Sequence, residues 1–210
     1  MRKPTSTAAA AIAALTAAGV VAAAPPSLTL KAAPTVVGYG KTTTLSGTLS
    51  TGKSGQAVTV ESQECSKNTF TKVATVTTGA NGAYSYVAKP NLYTNYRTRA
   101  KSATSPMAAL SVQPALRLRR LAARKFSIQV SAAQSFVGKF VYFQRYTKTK
   151  KWRNVTTVTL RTLKSGTAPT QISSAVFRPR VAPRAKVRAL LARPSASPCY
   201  LPAVSNITRS

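Results

Sequence analysis

The stretch GQAVTVESQ, residues 55–63, has a counterpart further along the chain in GKFVYFQRY, residues 138–146. Both open on glycine and then set apolar residues two apart, Val58 and Val60 in the first, Val141 and Phe143 in the second. A period of two marks a strand with one buried face. Further matches follow in the same order. FTKVATV (70–76) answers WRNVTTV (152–158), AYSYVAKP (83–90) answers AVFRPRVA (175–182), and NYRTRA (95–100) answers KVRALL (186–191). SPM (105–107) faces SPC (197–199). The offset is 82–83 early and 91–92 later, as one insertion of about nine residues near SGTAPT in the second copy would produce. The chain is read as a tandem duplication.

Both copies read as β. Alternation recurs at Val73 with Val76, Tyr84/Tyr86, Phe126/Ile128/Val130 and Val155 with Val158, in runs rich in Thr, Val, Tyr and Phe. Asn81-Gly82 is a hairpin signal, because both central positions of such a turn need φ > 0. Strand candidates come every 10–13 residues, with no convincing helix beyond the N-terminal segment. The expectation is an all-β chain: two tandem seven-stranded antiparallel β-sandwiches, over 25–114 and 115–210, after a signal peptide at 1–24. Pro114 stops the strand before it and marks the boundary.

The order TLSGTL, GQAVTV, FTKV, then GANGAYSY…KP…TNYRTRA resembles the bacterial Ig-like and fibronectin type III-like domains of secreted bacterial proteins. The resemblance covers nearly all of 28–113 and extends weakly over 115–209, where TAPTQISSA replaces the Asn-Gly turn. It implies a sandwich that serves as a spacer, adhesive or wall-associated module without an active site. Such motifs specify fold far better than ligand.

Composition narrows the chemistry. The chain has 31 Lys+Arg, two acids (Glu61 and Glu64), no aspartate and no histidine, for a formal charge of +29. Without histidine no Ser-His-Asp or Cys-His nucleophile can be built. Two glutamates at one strand end do not make a facing carboxylate pair. Metal sites need clustered His, Cys, Asp or Glu, and Cys65 and Cys199 are the only thiols. There is no phosphate loop of the GxxxxGK[ST] or GxGxxG kind. The expectation is therefore no catalysis, no cofactor, no metal and no small-molecule substrate. A Ser–Lys hydrolase is the minor alternative that counting leaves open.

MRKPTSTAAAAIAALTAAGVVAAAPPS opens on Arg2 and Lys3 and continues through an uncharged, alanine-rich run, the pattern of a bacterial secretory signal with cleavage after Ala23. An uncleaved anchor is the disfavoured alternative, since 8–24 would span a bilayer only marginally. No second apolar run follows. The expected location is extracellular, with association to the cell wall.

Charge is unevenly divided. Residues 25–114 carry nine cations and two acids, whereas 115–210 carry twenty cations and no acid. Candidate anion-binding residues form three groups: Arg117, Arg119, Arg120 and Arg124; Lys148, Lys150, Lys151 and Arg153; and Arg178, Arg180, Arg184, Lys186 and Arg188. Residues two apart on a strand share a face, so Arg117/Arg119 and Lys186/Arg188 pair their charges. A merely solvated arginine-rich surface is the competing reading. Like-charge repulsion favours a polyanionic partner instead. In the exported space that means cell-wall polymers, anionic lipid headgroups or, without sequence preference, nucleic acid.

Trp152 could be a stacking platform among these lysines, serving a nucleic-acid- or polysaccharide-binding surface. Its counterpart Phe70 is also aromatic, which favours a core position in both copies. Cys65 and Cys199 sit at non-equivalent positions of the repeat. A bridge between them would lock the two halves but needs Cα atoms within about 7 Å. Two free or buried thiols are the favoured alternative.

Overall fold

The computed structural model describes residues 24–210; the signal peptide over 1–24 and its cleavage after Ala23 lie, but for residue 24, outside them. The first half contains β1 (Lys31–Ala33), β2 (Val36–Gly38), β3 (Thr43–Thr48), β4 (Ala57–Glu64), β5 (Thr71–Thr77), β6 (Ala83–Ala88), β7 (Thr94–Ala100), β8 (Ala103–Thr104) and β9 (Ala108–Gln113). Pro114 alone separates it from β10 (Ala115–Ala122), β11 (Lys125–Ala132), β12 (Phe140–Tyr146), β13 (Trp152–Thr159) and β14 (Thr162–Ser165). β15 (Gln171–Phe177), β16 (Lys186–Leu191), the one-turn helix α1 (Arg193–Ala196), β17 (Ala203–Val204) and β18 (Thr208–Arg209) complete the chain.

Sheet order defines the class. In the first half β1-β3-β6 faces β2-β9-β7-β4-β5, with β2 parallel to β9. In the second, β10-β11-β15-β14 faces β13-β12-β16-β17, and β18 also pairs with β16. Hairpins such as β4–β5 and β12–β13 stay in one sheet, and the chain crosses between sheets before and after them, in the Greek-key manner of an Ig-like sandwich. Each half has nine strand segments rather than the expected seven. The first strand of one copy and the last strand of the other are split, and β8 and β14 are additions.

Inward positions follow the period of two. Val58 and Val60 are fully buried, as are Phe126, Ile128, Val130, Val141 and Phe143. Phe126, Phe143 and Phe177 stack edge-on or tilted at 5.1–6.0 Å between centroids, and they carry much of the second core. The expected alternation fails at Val73, which is the extra residue of a bulge in the edge strand β5 and is exposed.

Three further expectations are corrected. Asn81 and Gly82 do have φ > 0, but they form a single 3-10 turn joining β5 to β6, which belong to different sheets. Gly82 is needed there because a Cβ would collide with the carbonyl of Leu49. The letter match of 83–90 with 175–182 is one frame out, because Tyr84 is buried whereas Val176 is exposed. An odd slip turns every side chain to the other face. The inward residues are Tyr84, Tyr86 and Ala88 in one copy and Ser173, Ala175 and Phe177 in the other. Lastly, α1 is helical, entered through Pro194 in its first turn, where a missing N–H costs nothing.

The halves meet in a packed junction. Val37 and Val112 of the first half are buried in the core of the second, and Tyr39, Cys65 and Leu92 pack against it. Cys65 and Cys199 are joined in a disulfide with their Cα atoms 5.5 Å apart, against the expectation of separate thiols. Around it the Tyr93 amide donates to the Cys199 carbonyl (2.9 Å), and the Leu201 amide donates to the Val112 carbonyl (2.9 Å). The Tyr200 hydroxyl donates to the Asn91 carbonyl (2.7 Å) and accepts from the Ala133 amide (2.8 Å). The letter match misses the pairing because the two cysteines belong to different copies and meet only where the copies dock.

Two outcomes are expected. Replacing Cys199 and Cys65 together by serine removes a cross-link spanning 134 residues. Urea unfolding of that variant should show a loss of about 2–4 kcal/mol, reproduced by reducing the parent chain. Burial also holds the Tyr200 hydroxyl protonated well above the usual tyrosine range, and pushes Tyr96 up to about 12 with help from Tyr86 and Glu64. The native state keeps protons that the unfolded chain releases near pH ~10, so stability is full below that pH and falls as pH rises through it. Urea midpoints at pH ~9 and pH ~11 should fall in that order, with a smaller drop in Tyr200→Phe.

Candidate anion-binding pole

Strand direction sorts the loops of the second sandwich to its two ends. β11 begins opposite the end of β15, with Phe126 paired to Phe177, and β12 ends opposite the start of β16, with Arg145 paired to Val187. The β10–β11 turn, the β12–β13 turn and the 178–185 connection therefore share one end. The opposite end, carrying 133–139 and 192–202, is the one docked on the first half.

The free end gathers most of the predicted cations. Arg124 comes from the first turn, with Arg120 near the end of β10 before it, and Lys148, Lys150 and Lys151 come from the second turn. Arg178, Arg180 and Arg184 come from the third connection, with Lys186 opening β16 after it. Arg124 and Arg180 line one shallow cavity of about 410 Å³ with Val181 and Ala182. Arg153 lies one residue inside β13, beside the second turn. Arg117 and Arg119 stand apart, on the outer face of β10 with Leu116 and Leu118 turned inward. Twelve of the thirteen are exposed; Arg188 is half-buried. Sequence reasoning passes over Arg209, which β18 places opposite Lys186. Only the strand pairing reveals it.

Each of the three turns also holds a cation in the left-handed region: Arg124 (φ 55°), Lys150 (φ 55°) and Arg184 (φ 59°). Glycine or asparagine is the ordinary occupant of such a position, and a side chain with a Cβ costs about 1–2 kcal/mol there. In the first copy the corresponding β4–β5 turn uses Ser66 (φ 68°). The second copy has put charge where relaxed backbone would be easier, and strain of that kind clusters at functional positions.

Trp152 is outside the core, contrary to expectation. It sits half-buried on the outer face of the β13-β12-β16 sheet, against Tyr146 at 5.1 Å, with the Arg188 guanidinium 4.2 Å above its ring. Phe70 occupies the same place in the first copy, with Arg97 4.0 Å above it. Glu61 and Gln144 reach this face by plain alternation. A bulge in the edge strand at the equivalent step, with Val73 and Val155 as the extra residues opposite Val60/Glu61 and Phe143/Gln144, turns Phe70 and Trp152 onto it in both copies. The aromatic match is real; its cause is an arginine lid rather than burial in the sandwich.

The third partner differs between copies. Arg97 Nε donates to Glu61 Oε2 at 2.6 Å, forming an ion pair that Arg99 joins at 3.8 Å. Arg188 Nε donates to Gln144 Oε1 at 2.9 Å, and Gln144 Nε2 donates in turn to Asn154 Oδ1 at 2.9 Å. The geometry is kept while the counter-charge is lost. Burial lowers the Arg188 pKa from its ordinary value, and no carboxylate offsets the effect. Among the described residues no group of three His, Cys, Asp or Glu could hold a metal ion.

The fold and this surface define an Ig-like sandwich pair with a basic free end. No protein-family model matches the chain, and no curated protein matches it. Among solved structures, a tetra-tandem repeat in the extending region of a large adhesion protein is 14% identical with a TM-score of 0.36. That match covers 89% of this chain and 49% of the other, so the chain spans about half of that fragment. A marsupial T cell receptor is 9% identical with a TM-score of 0.32, over 87% of this chain and 99% of that one. Bovine butyrophilin is 10% identical with a TM-score of 0.34, over 86% and 98%.

A double-mutant cycle on Trp152→Ala and Arg188→Ala, read by urea unfolding, should give a favourable coupling of about 0.5–1 kcal/mol. Coupling indistinguishable from zero would mean the stacked pair contributes nothing to the second half.

Proposed function

We propose that this chain is a non-catalytic, exported structural and binding module, held to anionic cell-envelope polymers by the free end of its second sandwich. One observation carries the reading: three turns that converge at the end away from the junction are all basic. No acid stands anywhere in 115–210 to neutralise them. Packed against the first half at its other end, the domain offers these turns outward. Export rests on the N-terminal sequence pattern, and no helix among the described residues is long and apolar enough to cross a membrane. The second reading is sequence-blind binding of extracellular nucleic acid or polysaccharide. The Tyr146–Trp152 pair outside the core favours it, although Arg188 already covers one face of the indole.

The test is binding of the purified chain to wall polymer, anionic vesicles and single-stranded DNA across a salt series. Affinity should fall steeply with salt, since each neutralised phosphate releases counterions. Arg124→Gly, Lys150→Gly and Arg184→Gly combined should weaken binding at least about tenfold while leaving stability unchanged or raised by about 1 kcal/mol. Absence of binding to all three probes at low salt overturns the proposal. Preference for single-stranded DNA that Trp152→Ala abolishes favours the second reading.

A further inference from the structure

The two copies differ where the chain crosses from β13 to β15. In the first copy the equivalent link is the short turn 78–82. In the second copy the link runs from 160 to 170 and contains β14, which pairs with β15 only over residues 171–174. Beyond that pairing an open groove of about 760 Å³ lies between the two strands. One wall is formed by residues 155–159 of β13 and the other by residues 175–180, and Arg161 and Thr162 stand at one end. That is within the size range of sites that hold small ligands or short segments.

Both walls are strand edges. β13 pairs only with β12, and residues 175–177 of β15 pair only with β11. Each edge therefore turns a row of backbone N–H and C=O groups that no strand satisfies toward the groove, among the described residues. Proteins usually blunt such edges with proline, inward lysine or a covering loop. Here a bulge at Val155 and Pro179, two residues beyond the end of β15, stand at the far end, and between them and Arg161 the walls at 156–159 and 175–177 carry neither charge nor proline. The wall residues Thr156, Thr157 and Thr159 are exposed, as is Val176 at 59%. Cations bracket the groove: Arg161 at one end, Arg178 and Arg180 at the other.

We infer that this groove takes an extended, acidic segment of a partner polypeptide by strand addition. Only a polypeptide matches the spacing of free amide and carbonyl groups along two edges. Arg161, Arg178 and Arg180 select carboxylates on it. A second copy of this chain is the wrong occupant, because its second half carries twenty cations and no acid to meet Arg161, Arg178 and Arg180. The site is distinct from the polymer-binding turns, although Arg178 and Arg180 border both.

The probe is a short, capped peptide of alternating threonine and glutamate, added to the purified chain at low salt. Amide hydrogen exchange should slow in residues 155–159 and 175–177, and Arg161→Gln should weaken binding about tenfold. The same peptide N-methylated at alternate residues keeps its charge but cannot extend a sheet, and it should not bind. Lys150→Gly should leave peptide binding intact, which separates this site from the basic turns. Equal binding of the N-methylated peptide, the same protection pattern with inorganic polyphosphate, or no peptide binding at all would each overturn strand addition.

Discussion

The seating of Val112 in the core of the second sandwich is the constraint on which the remaining organisation depends. Val112 is fully buried there, its carbonyl accepts the Leu201 amide, and only Pro114 separates its strand from the next domain's first strand. A one-residue linker with proline's fixed φ leaves little rotational freedom. The Cys65–Cys199 bridge and the Tyr200 hydrogen bonds close the other side of the same contact. Contacts of this kind decide which end of the second sandwich is hidden. The uncovered end is then the one with three basic turns, so packing at one pole gives the charge at the other its orientation.

Concentrating twenty cations in one small domain works against folding, and the structure shows how the repulsion is spread. Most of the charges sit on exposed turns or outward strand faces, where water screens them. Two are half-buried, Lys125 and Arg188, and Arg188 is solvated by the face of Trp152 and the amide oxygen of Gln144. A ring quadrupole attracts a cation without adding an acid. In the first copy Arg97 has both the Phe70 ring and the Glu61 carboxylate. Replacing carboxylate by amide at the same lattice point keeps the hydrogen bond and releases one positive charge to the surroundings.

The fold is legible because a duplication writes each strand twice, and an alternating pattern that recurs at a nearly constant offset leaves little room for a different topology. Val58/Val60 and Val141/Phe143 fall on inward faces from the alternation alone. Sequence reading fails where a side chain's environment is set by the opposite strand. Phe70 and Trp152 look like core aromatics because apolar rings usually are; the bulge at Val73 and Val155 that turns them outward has no signature in single letters. The cysteines mislead for a related reason. A repeat comparison aligns equivalent positions, and a bridge between non-equivalent positions is invisible to it. Counting finds the basic groups, but their convergence at one pole depends on strand direction.

Divergence between the copies has a consistent direction. The first copy keeps its acids, its short turn between β5 and β6, and a neutral serine at the left-handed position of its β4–β5 turn. The second has no acid, a longer equivalent link with an open groove beside it, and lysine or arginine at three left-handed positions against one in the first, Lys101 (φ 51°). Each change taken alone weakens an isolated sandwich, through repulsion, unpaired backbone or strained φ. Random drift would scatter such costs over both copies and both poles. Most of them fall in one copy and at surfaces that the junction leaves free, so the rigid docking of the two halves keeps the costly features of the second away from the contact that holds them together.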